Sequence, residues 1–135
     1  LRLVPVNFEA GDAWWERLSA SGFDAERPAI VASTGVSIYL TEEAIRATLR
    51  QVATLTRGST LVMSFMLPIE LADPDVRPGI ERAAAGARVN GTPFLSFFTP
   101  DAMLAGTRGR LRRGPARSDG LRPPNNSEEL LLEST

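Results

Sequence analysis

Between Pro28 and Leu67 the sequence places two apolar runs on either side of one well-marked helical pattern, and few architectures accommodate that order. The first run opens at Ile30–Val31 and passes into the small residues Ala32–Ser33–Thr34–Gly35. Thr41 is a good N-cap, and Glu42 and Glu43 suit the positive end of a helix. Ile45, Thr48, Leu49, Val52 and Leu55 then repeat at helical spacing, and Arg57–Gly58 is expected to close the helix. The second run, STLVMSFML from Ser59 to Leu67, reads as a strand buried on both faces. Strand, helix and strand over about 40 residues make a βαβ unit, which implies a parallel pair and a right-handed crossover. Small residues where the first strand ends let a ligand approach the backbone closely, and that end is where open α/β sheets bind ligands.

The flanks are less regular. Leu1 to Phe8 (LRLVPVNF) is apolar enough for a buried parallel strand, with Pro5 tolerable only near its end. Asp12 can cap a helix through Trp14, Trp15 and Leu18 that Gly22 terminates. Pro68 to Pro78 reads as a loop, Gly79 to Val89 as a helix weakened by Gly86, and Asn90–Gly91 as a turn. Phe94, Leu95, Phe97 and Phe98 follow, and Thr99 caps a helix from Pro100. From Ala105 the composition changes to glycine and arginine, with Arg108, Arg110, Arg112, Arg113, Arg117 and Arg122 against the single acid Asp119. Leu111 and Leu121 are the only large apolar residues there, too few for a core strand. Leu130, Leu131 and Leu132 restore an apolar pattern behind Ser127, Glu128 and Glu129.

Composition excludes several chemistries outright. The 135 residues include no histidine, no cysteine and no lysine, since all 15 basic residues are arginine. An imidazole base, a thiolate nucleophile, a zinc–sulfur site, a Schiff base and a phosphate-loop lysine are therefore out of reach of these residues. The net charge of −1 gives no reason to expect a nucleic-acid partner. The arginine run lacks the interleaved aromatics that such binding needs, so a solvated segment is its plainer reading. No membrane span or secretory signal is visible, and the absence of cysteine fits a cytoplasmic location.

Four segments together resemble one family: VPVNF (4–8), STGVSIYLTEEAI (33–45), STLVMSFMLP (59–68) and GTPFLSFFTPDAM (91–103). They are similar to the leucine carboxyl methyltransferase-like group of S-adenosylmethionine-dependent methyltransferases. The resemblance implies an α/β, Rossmann-like class I methyltransferase fold that is incomplete. Its third, fourth and fifth strands would be VPVNF, AIVASTGVSIYL and STLVMSFML, and the glycine-rich N-terminal part would lie upstream. Residues 1–104 would form the C-terminal part of the domain, 105–118 an Arg/Gly-rich irregular segment, and 119–135 the tail of the same domain.

The resemblance also implies S-adenosyl-L-methionine as cofactor and a small-molecule methyl acceptor offering a carboxylate or hydroxyl oxygen. By the same mapping Asn7 and Phe8 would meet the adenine. Ser33, Thr34 and Gly35 would face the methionine part. Many relatives carry aspartate where Asn7 stands, and often glutamate at the end of the fourth strand. Tyr39, Phe94 and Phe97 become candidate substrate contacts, no residue stands out as catalytic, and no metal is required. Plainer alternatives remain: tight strand–helix packing for Ser33–Gly35, a junction tyrosine with its hydroxyl in water for Tyr39, and core positions for some of the phenylalanines. Trp14 and Trp15 could line a pocket, but neighbours on a helix point apart, so at least one belongs to the core. The alternative function is a non-catalytic remnant that acts only by docking on an intact relative.

Overall fold

The computed structural model describes residues 1–10 and 14–105 with their side chains, and Leu111–Arg113 and Ser127–Ser134 by their backbone; Asp12 and most of the Arg/Gly-rich segment lie outside the described residues. The βαβ unit is present as β1 (Ile30–Ser33), α2 (Glu42–Val52) and β2 (Thr60–Met66), preceded by α1 (Trp14–Ala20). β1 and β2 are parallel, with Ile30 opposite Thr60 and Ser33 opposite Met63. Downstream come α3 (Arg77–Val89), α4 (Pro100–Ala105), β3 (Leu111–Arg113) and β4 (Ser127–Ser134). The sheet order is β1-β2-β4-β3, with β4 antiparallel to both neighbours, so the parallel pair sits in a mixed sheet. The restored pattern at Leu130–Leu132 is thus a strand, and Leu111–Arg113 of the arginine-rich segment forms a three-residue strand at the sheet's far edge.

α2 forms where its periodicity puts it. Thr41 Oγ1 accepts the Ala44 N–H at 3.3 Å, and Ala44, Ile45, Thr48, Leu49 and Val52 are all buried. Each large apolar side chain so buried contributes about 1.5–3 kcal/mol relative to exposure. The helix stops at Val52 rather than at Arg57. Thr54 and Leu55 bond back three residues, to the carbonyls of Gln51 and Val52, which tightens the last turn and still buries Leu55. Gly58 belongs to the turn that starts β2.

β2 supplies the centre of the core. Leu61, Met63 and Phe65 are buried against Ile45, Leu49 and Val52, whereas Thr60, Val62 and Ser64 are half-buried. The expectation of burial on both faces is therefore corrected: the polar Thr60 and Ser64 sit at alternate positions, and one face is closed more fully than the other.

Leu1 to Asn7 forms no strand, which overturns the reading of VPVNF as the third strand of the sheet. A strand needs a neighbour to take its N–H and C=O groups, and Pro5 has no N–H to offer. Instead Val6 and Phe8 pack against the core while Leu1 and Leu3 stay exposed. β1 is consequently an edge strand, and its Ile30 is 81% exposed.

α1 ends at Gly22, whose φ of +89° is left-handed. The Gly22 and Phe23 N–H groups bond back to the carbonyls of Ser19 and Leu18 at 2.9 and 3.1 Å, the Schellman pattern that favours glycine. Trp14 is buried and Trp15 half-buried, with the two rings edge-on at 5.6 Å, so Trp14 is the core member of the pair. α3 starts at Arg77 rather than Gly79, because Pro78 is well suited to a first helical turn. Among the described residues no helix is long and apolar enough to cross a membrane.

Candidate functional site

The loop that leaves β1 is pinned to β2 through one serine. The Gly35 N–H donates to Ser64 Oγ at 2.8 Å, and the Ser37 hydroxyl donates to the Ser64 carbonyl at 2.8 Å. Ser37 is buried, so its hydroxyl requires that partner. Gly35 takes a left-handed φ of +69°, and a Cβ built there would meet nothing within 4 Å. Tight packing therefore does not explain this glycine. What remains is backbone conformation beside open space, at the carboxyl end of a parallel strand. Ser33 is half-buried next to it and Thr34 is exposed.

Asn7 and Phe8 lie on a separate turn. Asn7 Oδ1 accepts the N–H groups of Glu9 and Ala10 at 3.1 and 3.2 Å, which occupies both lone pairs of that oxygen. An adenine amino group would have to displace one of them. Phe8 is half-buried and tilts against Trp14, with ring centroids 6.5 Å apart.

Glu9 was not singled out by the sequence. Its carboxylate accepts the Thr41 N–H at 2.6 Å and the Thr41 hydroxyl at 3.0 Å, fastening the N-terminal segment onto the start of α2. An acid facing a helix N-terminus is favoured there, but no local pattern pairs residues 32 apart. Thr41 thus caps α2 and holds Glu9 at once. Thr41→Ala should cost about 1–2 kcal/mol, read as a lowered urea midpoint at unchanged slope. A change below about 0.3 kcal/mol would show that neither contact matters in solution.

The second part of the site is a cleft of about 480 Å³ beyond the end of β2. Its apolar wall includes Ile38, Met66, Val76, Ile80 and Phe94, with Asp75 and Arg82 also lining it. The chain after α3 is drawn against this wall by three bonds. The Leu95 N–H donates to the Ile38 carbonyl at 2.7 Å, Ser96 Oγ to Leu40 at 2.6 Å, and the Phe98 N–H to Met66 at 2.9 Å. Phe94 therefore faces the cleft, and Tyr39, 44% exposed, stands edge-on to it at 5.7 Å. Phe97 packs on the small cluster of Met66, Ala72 and Ile80. The structure thus sets the Tyr39 ring against Phe94, of which only Phe94 lines the cleft, and gives Phe97 a packing role beside it.

Residues 1–53 match the family model of leucine carboxyl methyltransferase. Over that stretch the sequence is similar to that family. The match takes in Asn7, Phe8, Ser33–Gly35 and Tyr39, and stops before Phe94, Phe97 and α3. Two solved structures share the fold beyond it. One is a DUF574 family protein from Streptomyces avermitilis MA-4680, at 16% identity and a TM-score of 0.65, covering 96% of this chain and 53% of that one. The other is a proposed methyltransferase from Thermobifida fusca YX, at 16% identity and a TM-score of 0.65, covering 96% of this chain and 52% of that one. The chain spans about half the length of the structures it matches. No curated protein matches it.

Proposed function

We propose that this chain forms part of a Rossmann-like, S-adenosylmethionine-dependent methyltransferase domain that methylates a carboxylate or hydroxyl oxygen of a small molecule. One observation carries the reading: an unpacked, left-handed glycine, Gly35, ends a parallel strand, and the cleft that includes Ile38 opens at the same end of the sheet. The open space over Gly35 and the exposed Thr34 fit the methionine part of the cofactor. The adenine fits less directly, since Asn7 Oδ1 already serves its own turn. Phe8 and the backbone beside it are the remaining contacts in that segment.

When bound, the cofactor supplies a methyl group already activated on a sulfonium. The residues of this chain then act by holding and aligning the acceptor. Ile38, Met66, Val76 and Phe94 keep water from its body, which favours an in-line approach over hydrolysis. A carboxylate acceptor needs no base, in keeping with a chain that has no histidine. We also place the protein in the cytoplasm, a reading that rests on its cysteine-free composition.

Titration calorimetry with S-adenosylmethionine and S-adenosylhomocysteine tests the reading. Both should bind at micromolar concentration. A folded chain that binds neither would overturn it in favour of a docking partner without catalysis. The exposed Ile30 on the unpaired edge of β1 is what supports that second reading.

A further inference from the structure

The sequence holds one Asn–Gly pair, and the fold sets it at the end of α3, where Asn90 is the C-cap. Both residues are exposed. Glycine carries no side chain beside its own nitrogen, and a Cβ built on Gly91 would meet nothing within 4 Å. That nitrogen is therefore an uncrowded nucleophile next to the Asn90 side-chain amide. Two features of the fold hold it back. The Gly91 N–H donates to the Arg88 carbonyl at 3.2 Å and the Thr92 N–H to Ala87 at 2.9 Å, the paired bonds of a Schellman cap. Asn90 also keeps a ψ of 6°, which turns the Gly91 nitrogen away from Cβ, whereas ring closure needs the two nearly eclipsed. The restraint is nonetheless local. The buried residue of α3 is Ile80, in its first turn, while Gly86, Arg88 and Val89 near its end are exposed. Gly86 weakens that end further, so the cap alone holds it and it opens far more readily than the core.

We propose that Asn90 is a site of spontaneous backbone modification, and that opening of the α3 cap sets its rate. In the opened turn the Gly91 nitrogen forms a bond to Cγ of Asn90 and the Cγ–Nδ2 bond breaks. The side-chain amide leaves as ammonia, completed by the proton that Gly91 gives up. Water then opens the cyclic imide at either carbonyl. Opening at Cγ yields aspartate in an ordinary backbone. Opening at the main-chain carbonyl carbon yields isoaspartate, with the chain routed through Cβ and Cγ. Either product sets a carboxylate at the negative end of α3, which disfavours re-forming the cap. Isoaspartate also lengthens the backbone by a methylene between α3 and Phe94, which lines the cleft, while the next residue, Leu95, stays tied to the Ile38 carbonyl. Ageing at Asn90 thus loosens α3 against a wall held in place. The proposal stands apart from the methyltransferase reading and needs no ligand.

The whole chain is incubated at mildly alkaline pH, folded or in urea, and Asn90 is followed by mass spectrometry with fragmentation that separates aspartate from isoaspartate. Asn90 should convert in both samples, about tenfold more slowly in the folded chain, as expected of a cap that opens at small cost. Asn90→Gln should abolish conversion at this position, since glutamine would have to close a larger ring. Gly86→Ala strengthens the last turn of α3, and its Cβ would meet nothing within 4 Å. It should slow conversion about three- to fivefold in the folded chain and leave the rate in urea unchanged. Equal rates with and without urea would show that the cap restrains nothing. An Asn90 that stays intact in the folded chain while converting in urea would show that the turn does not open. Either result, or a Gly86→Ala chain that converts as fast as the unaltered one, would overturn the proposal.

Discussion

Phe65→Ala should remove about 3–5 kcal/mol of folding free energy, enough to leave a domain of ordinary stability largely unfolded. Phe65 is 2% exposed at the middle of the main core, among Leu61 and Met63 of its own strand, Ile45, Leu49 and Val52 of α2, and Met103 of α4. Removing the ring would leave a void between a sheet and a helix, and neither can collapse without losing its other contacts. The measurement is urea denaturation followed by circular dichroism, with Phe65→Leu as the volume-sparing control. The leucine variant should lose about 1.5 kcal/mol or less. Val62→Ala, on the half-buried face of β2, should fall well below Phe65→Ala. If Phe65→Ala and Val62→Ala proved equally mild, β2 would not be the centre of the core, and the sheet order built on it would fail too.

The core was legible in the sequence to the extent that its signals are local. α2 could be placed because a capping threonine, two acids and an apolar stripe all lie within about three turns. β2 could be placed because nothing but a strand suits so short and apolar a run. Its burial was misread because composition alone hid the alternation of Thr60, Val62 and Ser64 with Leu61, Met63 and Phe65. Leu1–Phe8 was read as a strand for the same reason, although a strand exists only with a neighbour, and among the described residues none pairs with it. β4 shows the opposite case. Its leucines hinted at structure, but its antiparallel pairing with β2, from Ser127 opposite Met66 to Glu133 opposite Thr60, joins segments too distant for any local pattern.

The candidate site divides along the same line. Ser33–Gly35 could be picked out because a strand end followed by small residues is a local signature. Tyr39 was picked out as the one tyrosine, at a strand-to-helix junction, and Phe94 as one of a group of phenylalanines, and the structure brings their rings together. Glu9, Asp75 and Arg82 could not be found. Each acquires its place from a segment remote in sequence, and an isolated charge reads as surface.

Gly35→Leu should lower affinity for S-adenosylmethionine about a hundredfold while leaving the chain folded. Two effects of the substitution must be separated. Any L-residue forced to hold φ near +69° is strained, at a cost of roughly 1–2 kcal/mol. Gly35→Ala bears the same strain but adds only a Cβ, which meets nothing within 4 Å. The alanine variant therefore measures the backbone term alone, through its unfolding free energy and any loss of ligand binding. Leucine adds three further carbons into the open space, which is where the methionine part of the cofactor is proposed to lie. The difference between the two variants reads occupancy of that space, free of the strain they share. A Gly35→Leu chain that binds the cofactor as well as Gly35→Ala does would mean that the space over Gly35 is only solvent. The left-handed turn would then serve the Ser64 bond alone, and the cofactor, if it binds, would have to be sought at another strand end.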